Sequence, residues 1–83
     1  MDKIKLINKV NEALAEEFEI EVSTLVPDAK IKDTLDIDSL GLVDMVALVE
    51  SLFGVKIQAH EIPSILTFEN LYDYIDRNIK KYV

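Results

Sequence analysis

Cysteine is absent from this 83-residue chain, which has two glycines and one histidine. Without cysteine there are no disulfides and no thiolate metal sites, so any thiol chemistry has to come from a cofactor. Two glycines cannot build a glycine-rich phosphate-binding loop, and His60 is the one available histidine base. No spacing typical of a zinc or calcium site is present. The sequence therefore predicts a protein that is not an enzyme, with no catalytic residue and no metal ligands.

Long apolar runs are also missing. A membrane span needs about 18 or more consecutive apolar residues, and a signal peptide needs a continuous apolar segment. The sequence has no apolar run of that length. Met1 to Lys5 alternate in charge, where a signal peptide would need a continuous apolar segment. We expect no membrane span and a soluble, cytoplasmic protein. A chain of this length fits one domain, which we expect to cover residues 1–83 as a monomer.

Basic side chains are scarce in the first two thirds of the sequence. Residues 12–50 hold eleven Asp or Glu, against only Lys30 and Lys32. Such a field repels nucleic acid, and it attracts basic surfaces of other proteins in a salt-dependent way. A merely solubilising surface is the alternative interpretation. The sequence therefore predicts protein partners and no nucleic acid.

Apolar side chains at steps of three and four predict helices over 4–18, 39–53 and 68–79. Asp2 and Thr67 are suited to be N-caps of the first and last of them. A short helical turn over 59–63 completes the prediction. We therefore expect an all-α fold, a small antiparallel four-helix bundle with three main helices plus one short helix.

The ends of the helices carry further signals. Gly54 is a plausible C-terminal cap of the helix over 39–53, and Lys80 and Lys81 follow the last helix, where its dipole favours cations. The stretch 19–37 is predicted to be a long loop, with a turn at Pro27 and Asp28. Its apolar residues can anchor it to the core. They are Ile20, Val22, Leu25, Val26, Ile31, Leu35 and Ile37.

The helix over 39–53 has apolar residues on two faces. One face belongs in the core, with Leu42, Met45, Val46, Val49, Leu52 and Phe53. The other has Leu40, Val43 and Ala47 beside Asp44, where a purely structural helix would be polar. A contiguous apolar strip next to an acid is typical of a docking surface, although packing against the fourth helix is an alternative.

The most informative motif is Asp38-Ser39-Leu40, with a serine at the predicted start of this helix. Backbone N–H groups and the helix dipole favour a phosphate at such a position. Ser39 is therefore a candidate attachment point for a phosphoester.

Four segments together carry a family resemblance: Pro27-Asp28, Leu35 to Leu40, Phe53 to Ile57 and Leu71 to Ile75. Over nearly its full length, the chain resembles the acyl carrier proteins and related carrier domains modified by 4′-phosphopantetheine. The resemblance implies an acyl-carrier-protein-like bundle. It also implies a covalent 4′-phosphopantetheine on Ser39, attached from coenzyme A by a magnesium-dependent phosphopantetheinyl transferase (holo-carrier synthase). Asp38 would assist recognition or metal binding in that transfer.

The resemblance also implies that the arm carries acyl intermediates as thioesters between the enzymes of fatty-acid or related lipid synthesis. Basic docking patches on synthases and transferases would recognise the second helix. The residues of this docking surface would be Leu40, Val43, Asp44, Ala47 and Glu50.

Three departures from the family pattern leave the cargo open. Asp36 stands where many members have glycine, so the turn before Ser39 could differ. Gly41 and Ser51 stand where fatty-acid carriers often have acids. Gly41 and the sequence Phe53-Gly54-Val55 also occur in carriers of aminoacyl units. The alternatives are therefore a carrier for an aminoacyl (D-alanyl-type) or polyketide unit, and an unmodified helical interaction domain in which Ser39 is only an N-cap.

Overall fold

The computed structural model describes residues 2–79. It contains four α-helices: α1 (Lys3–Phe18), α2 (Ile31–Leu35), α3 (Ser39–Phe53) and α4 (Phe68–Ile79). Two short 3₁₀ segments, Val22–Thr24 and Ala59–Ser64, lie in the connections. The prediction of a small all-α bundle is confirmed, including the short helical segment before α4. Lys80 and Lys81, predicted to follow the last helix, lie outside the described residues.

The caps predicted from sequence stabilise the helix ends. Asp2 Oδ1 accepts a hydrogen bond from the Ile4 N–H at 2.9 Å, and Thr67 Oγ1 accepts one from the Asn70 N–H at 3.2 Å. Gly54 ends α3 with a φ of 68°, a left-handed conformation that glycine adopts without a steric cost. The start of α1, the end of α3 and the start of α4 are therefore encoded locally.

The core is formed by the apolar faces of the three long helices. Helix α1 contributes Leu6, Val10 and Leu14; α3 contributes Leu42, Met45, Val46 and Val49; α4 contributes Phe68, Leu71, Tyr72, Tyr74 and Ile75. Leu52 and Phe53, also predicted for the core, are half-buried. The predicted core face of α3 therefore faces inward.

The prediction of one long loop over 19–37 is wrong, because α2 lies within it. Ile31 and Leu35 are one helical turn apart and both are buried, so this turn is stabilised by packing. Asp33 and Thr34, residue types that are common in loops, both lie inside this helix.

The segment ahead of α2 is held to the start of α4 by backbone hydrogen bonds. Ile31 N–H donates to the Leu66 carbonyl at 3.0 Å, and Phe68 N–H donates to the Ala29 carbonyl at 3.2 Å. Leu25 is buried, whereas Val22 and Val26 are 48% and 44% exposed and anchor little. These bonds fix α2 in place, and α2 in turn determines where α3 begins.

No helix within residues 2–79 combines the length and the apolar character needed to cross a bilayer.

Candidate functional site

Ser39 is the first residue of α3, and it is exposed. The N-cap of the helix is Asp38, whose Oδ1 accepts hydrogen bonds from the Leu40 and Gly41 N–H groups, both at 3.0 Å. The hypothesis that Ser39 is only an N-cap is therefore wrong. Asp38 does the capping, so the Ser39 hydroxyl is not needed for it.

This cap changes the electrostatics expected at the helix start. The N–H groups of Leu40 and Gly41, which would favour a phosphate, already bind the Asp38 carboxylate. The carboxylate is negatively charged itself and repels a second anion. The helix N-terminus is therefore a weaker phosphate site than the sequence indicated.

A left-handed turn joins α2 to α3. Asp36 ends α2 with φ 54° and ψ 52°, a conformation that glycine adopts readily and that aspartate tolerates better than most residues. Asp36 thus keeps the backbone path that glycine would favour. Aspartate in place of the family's usual glycine therefore does not require a different turn before Ser39.

Lys32 is the residue at this site that sequence reasoning missed. Its Nζ lies 3.5 Å from Ser39 Oγ. Seven residues separate the two along the chain, and the contact depends on the turn at Asp36. One available signal was that Lys32 is one of only two lysines within the acidic stretch 12–50.

Two apolar side chains of α3 remain exposed to solvent. Leu40 is 77% exposed and Val43 is 53% exposed, and Asp44 and Ala47 are exposed beside them. These four residues form one continuous face, which we call the α3 surface. The fifth predicted docking residue, Glu50, is half-buried, and its Oε1 accepts a hydrogen bond from the Ile57 N–H at 2.9 Å. The Glu50 carboxylate therefore has a structural contact in the free protein.

Gly41 lies where the turn before α3 packs against the helix. A Cβ at Gly41 would lie 2.6 Å from Ile37 Cβ, closer than two non-bonded carbon atoms approach each other. Any other residue here would force Ile37 or the backbone to shift.

A groove lies between α2, α3 and the segment Ala59–Ser64. Its volume is about 260 Å³. The lining residues are Lys30, Lys32, Asp33, Leu42, Ile62, Pro63, Ile65 and Leu66. Lys32 lines this groove and its Nζ also lies beside Ser39 Oγ, so one side chain connects the groove with the serine.

The other candidates for catalysis or metal binding are His60 and the acidic side chains. His60 is exposed in the 3₁₀ segment Ala59–Ser64. Among the residues described, no three His, Cys, Asp or Glu side chains are grouped to hold a metal ion. The geometry of residues 2–79 thus offers an exposed hydroxyl beside a lysine and an exposed helix face.

Comparison with known proteins gives consistent results. The family described as the phosphopantetheine attachment site matches residues 8–75. The acyl carrier protein of Petrotoga mobilis is 35% identical over 79 residues, which cover 95% of this chain and 93% of that protein. That of Rubrobacter xylanophilus is 32% identical over 75 residues, covering 90% of this chain and 93% of that protein. The chain belongs to the acyl carrier protein family. Its prosthetic group is a covalently attached phosphopantetheine, and its function is that of a carrier and not of an enzyme.

A solved structure of an acyl carrier protein, that from Enterococcus faecalis, has the same fold. It superposes with a TM-score of 0.78 at 29% sequence identity, covering 94% of this chain and 99% of that one. Membership of the acyl carrier protein family excludes the alternative of an unmodified interaction domain.

The residues present fit a phosphopantetheine group. Covalent attachment needs an exposed hydroxyl, and the four serines of the chain, Ser23, Ser39, Ser51 and Ser64, are all exposed. Ser64 Oγ donates to the Glu61 carbonyl at 2.7 Å, so this hydroxyl already bonds the backbone. Ser39 Oγ has only the long contact with Lys32 and is exposed at a helix start. This geometry leaves Ser39 Oγ accessible to an incoming phosphoester.

Proposed function

We propose that Ser39 carries the 4′-phosphopantetheine arm and that the protein carries acyl intermediates in fatty-acid or related lipid synthesis. The observation that supports this most is the exposed hydroxyl of Ser39 at the first position of α3, directly after an aspartate cap. When bound, the arm supplies the thiol that the sequence lacks and holds the acyl group as a thioester.

Asp38 has two roles in this proposal. Its Oδ1 fixes the first turn of α3, which holds Ser39 in an exposed position. Its second oxygen, Oδ2, takes no part in these two bonds, and we assign it to recognition by the transferase. A phosphopantetheinyl transferase using coenzyme A and magnesium is therefore the first partner.

The α3 surface is the docking surface for the other partners. Leu40 and Val43 supply apolar contact area, and Asp44 supplies negative charge. Basic patches on synthases and transferases complement this combination, which favours fast, transient and salt-sensitive encounters. We assign Glu50 a supporting role, because its carboxylate holds the Ile57 backbone.

A lipid acyl chain is the cargo that we favour over an aminoacyl unit. Leu42, Ile62, Ile65 and Leu66 give the groove beside Ser39 an apolar lining. Each methylene buried there would contribute about 0.8 kcal/mol. Gly41 had suggested an aminoacyl carrier, but its steric contact with Ile37 explains it without reference to cargo.

The cargo is tested by recovering the protein from its source cells and releasing the thioester-bound group with hydroxylamine. Mass spectrometry of the released group should identify fatty acyl chains. A D-alanyl or other amino acid group would reject lipid synthesis and support the aminoacyl alternative. A protein recovered with phosphopantetheine on a residue other than Ser39 would reject the site assignment.

A further inference from the structure

The side chain of Lys32 is directed to the Ser39 hydroxyl although acids surround it. Its Nζ is 3.5 Å from Ser39 Oγ, which is long for a direct hydrogen bond. Asp33 and Asp36 are close to Lys32 in sequence. Among residues 2–79, however, Lys32 forms no ion pair, in contrast to Lys3, which pairs with Asp73. The positive charge beside the serine is therefore not neutralised by a carboxylate in contact with it.

The backbone of Lys32 is hydrogen-bonded to the turn that leads into α3. The carbonyl oxygen of Lys32 accepts hydrogen bonds from two successive N–H groups, those of Asp36 and Ile37, the second at 3.1 Å. Asp36 then turns the chain through its left-handed conformation. These two bonds hold the end of α2 at Lys32 against the turn that leads to Ser39.

A phosphodiester on Ser39 would lie among negative charges, and two N–H groups of the helix start are already bonded to a carboxylate. The N–H groups of Leu40 and Gly41 are taken by the Asp38 carboxylate. Asp36 and Asp38 add two negative charges close to the serine. A phosphate placed on Ser39 Oγ would therefore be repelled by its sequence neighbours unless a nearby cation compensates.

We propose that Lys32 binds the phosphodiester of the phosphopantetheine arm on Ser39 and so directs the arm to the groove beside α2. The proposal rests on the proposed function, because it requires the arm on Ser39. Phosphate oxygens attached through Ser39 Oγ come within reach of an ammonium group 3.5 Å from that atom. Lys32 also lines the groove, so a phosphate held by Lys32 starts the arm at the groove entrance. Lys32 is in this sense a positioning residue.

The test is ³¹P NMR of the phosphopantetheinylated protein. The phosphodiester resonance is compared between the folded protein and the same protein unfolded in urea, where the contact is absent. We expect Lys32→Gln to move the folded resonance at least halfway to its unfolded position, and Lys32→Arg to keep it. Lys30→Gln is the matched control, because Lys30 is also exposed and lines the same groove. Both substitutions remove one positive charge.

Salt provides a second readout. The Debye length falls to about 3 Å at 1 M salt, so an exposed ion pair is largely screened. The wild-type resonance should therefore move towards that of Lys32→Gln at high salt, while the variant's own resonance should move less. A resonance of Lys32→Gln equal to wild type, or equal shifts in Lys30→Gln and Lys32→Gln, would overturn the proposal.

The two proposals fail differently. Intact mass is measured before the NMR experiment, and peptide mapping locates the added group. Absence of the group from Ser39 rejects the proposed site. A fully modified Ser39 with an unchanged ³¹P resonance in Lys32→Gln rejects only the role of Lys32. Circular dichroism of the variant checks that its helices are intact.

Discussion

Ile37 occupies the space that any side chain at Gly41 would need. A Cβ on Gly41 would lie 2.6 Å from Ile37 Cβ and 2.9 Å from Ile37 Cγ2. Ile37 is half-buried against the core, so it cannot move away freely. The glycine in the first turn of α3 is therefore coupled to the residue that precedes the Asp38-Ser39 pair.

The first prediction is that Gly41→Ala destabilises the protein. Alanine normally stabilises a helix by about 0.5–1 kcal/mol relative to glycine, whereas overpacking typically costs about 1–3 kcal/mol. We expect the clash with Ile37 to dominate and the urea midpoint to fall. A midpoint equal to or above that of wild type would contradict the packing described.

A double-mutant cycle isolates this contact. Ile37→Gly removes both clashing carbons, so Gly41→Ala should cost less in that background than in the wild type. Gly54→Ala is the comparison, because it is strained by its φ of 68° but has no neighbour within 4 Å. Gly54→Ala should therefore lower the free energy of unfolding by the same amount in the wild type and in the Ile37→Gly background.

Asp38 combines a structural role with a proposed role in recognition, and two variants separate them. Asp38→Ala should cost about 1 kcal/mol of stability, because it removes the acceptor for two N–H groups. Asp38→Asn should retain most of the cap, since asparagine is an equally good N-cap. We expect Asp38→Asn to melt like wild type but to be phosphopantetheinylated more slowly. Equal modification rates would show that the carboxylate is not needed for transfer.

The fourth prediction concerns alkaline pH and the buried Tyr72. Its hydroxyl donates to Asn11 Oδ1, and Asn11 Nδ2 donates to the Leu25 carbonyl at 3.5 Å, which links α4, α1 and the following connection. Burial raises the pKa of Tyr72 above its ordinary value of 10.0. The folded state therefore favours the protonated tyrosine. This contribution is complete below pH 10.0 and is lost as the pH rises through the raised pKa.

Tyr72→Phe tests this linkage. At neutral pH the variant should be less stable by about 1–3 kcal/mol, because Asn11 loses its buried partner. The difference in unfolding free energy between wild type and variant should narrow above pH 10.0, as the wild type alone loses the contribution of Tyr72. Urea titrations of both proteins at several pH values measure this difference in unfolding free energy. A constant difference over that range would argue against the raised pKa.

The fifth prediction concerns the α3 surface. Asp44→Lys should slow modification or acyl loading by partner enzymes by up to about fivefold at low salt, since a single exposed ion pair contributes up to about 1 kcal/mol. Glu17→Lys, which makes the same charge change at an exposed position of α1, should have a much smaller effect. Both variants should unfold like wild type. Equal slowing by the two would indicate that net charge matters and that no specific docking face exists.

The long helices were predictable because their apolar residues repeat over three turns or more. Asp2, Thr67 and Gly54 mark their ends with local chemistry, which is readable from the sequence. Helix α2 was missed because five residues are too short for a periodic signal, and packing of Ile31 and Leu35 stabilises it.

The site was only partly predictable. Ser39 and the exposed side of α3 followed from the motif and the helical spacing. The contact of Lys32 with Ser39 depends on the left-handed turn at Asp36, a conformation that no residue type alone determines. The contact of Glu50 with the Ile57 N–H depends on where the chain returns after Gly54. Both contacts join residues seven positions apart across a turn, so they follow from the path of the chain and not from helical periodicity.

The attachment of the arm to Ser39 is tested most directly by intact mass after incubation with coenzyme A, magnesium and a broad-specificity phosphopantetheinyl transferase. We predict a single added phosphopantetheine in the wild type and in Ser51→Ala, an exposed serine later in the same helix, and none in Ser39→Ala. Ser39→Ala should retain its helical content, because Asp38 remains as the cap. An unmodified wild type, or full modification of Ser39→Ala, would contradict the account.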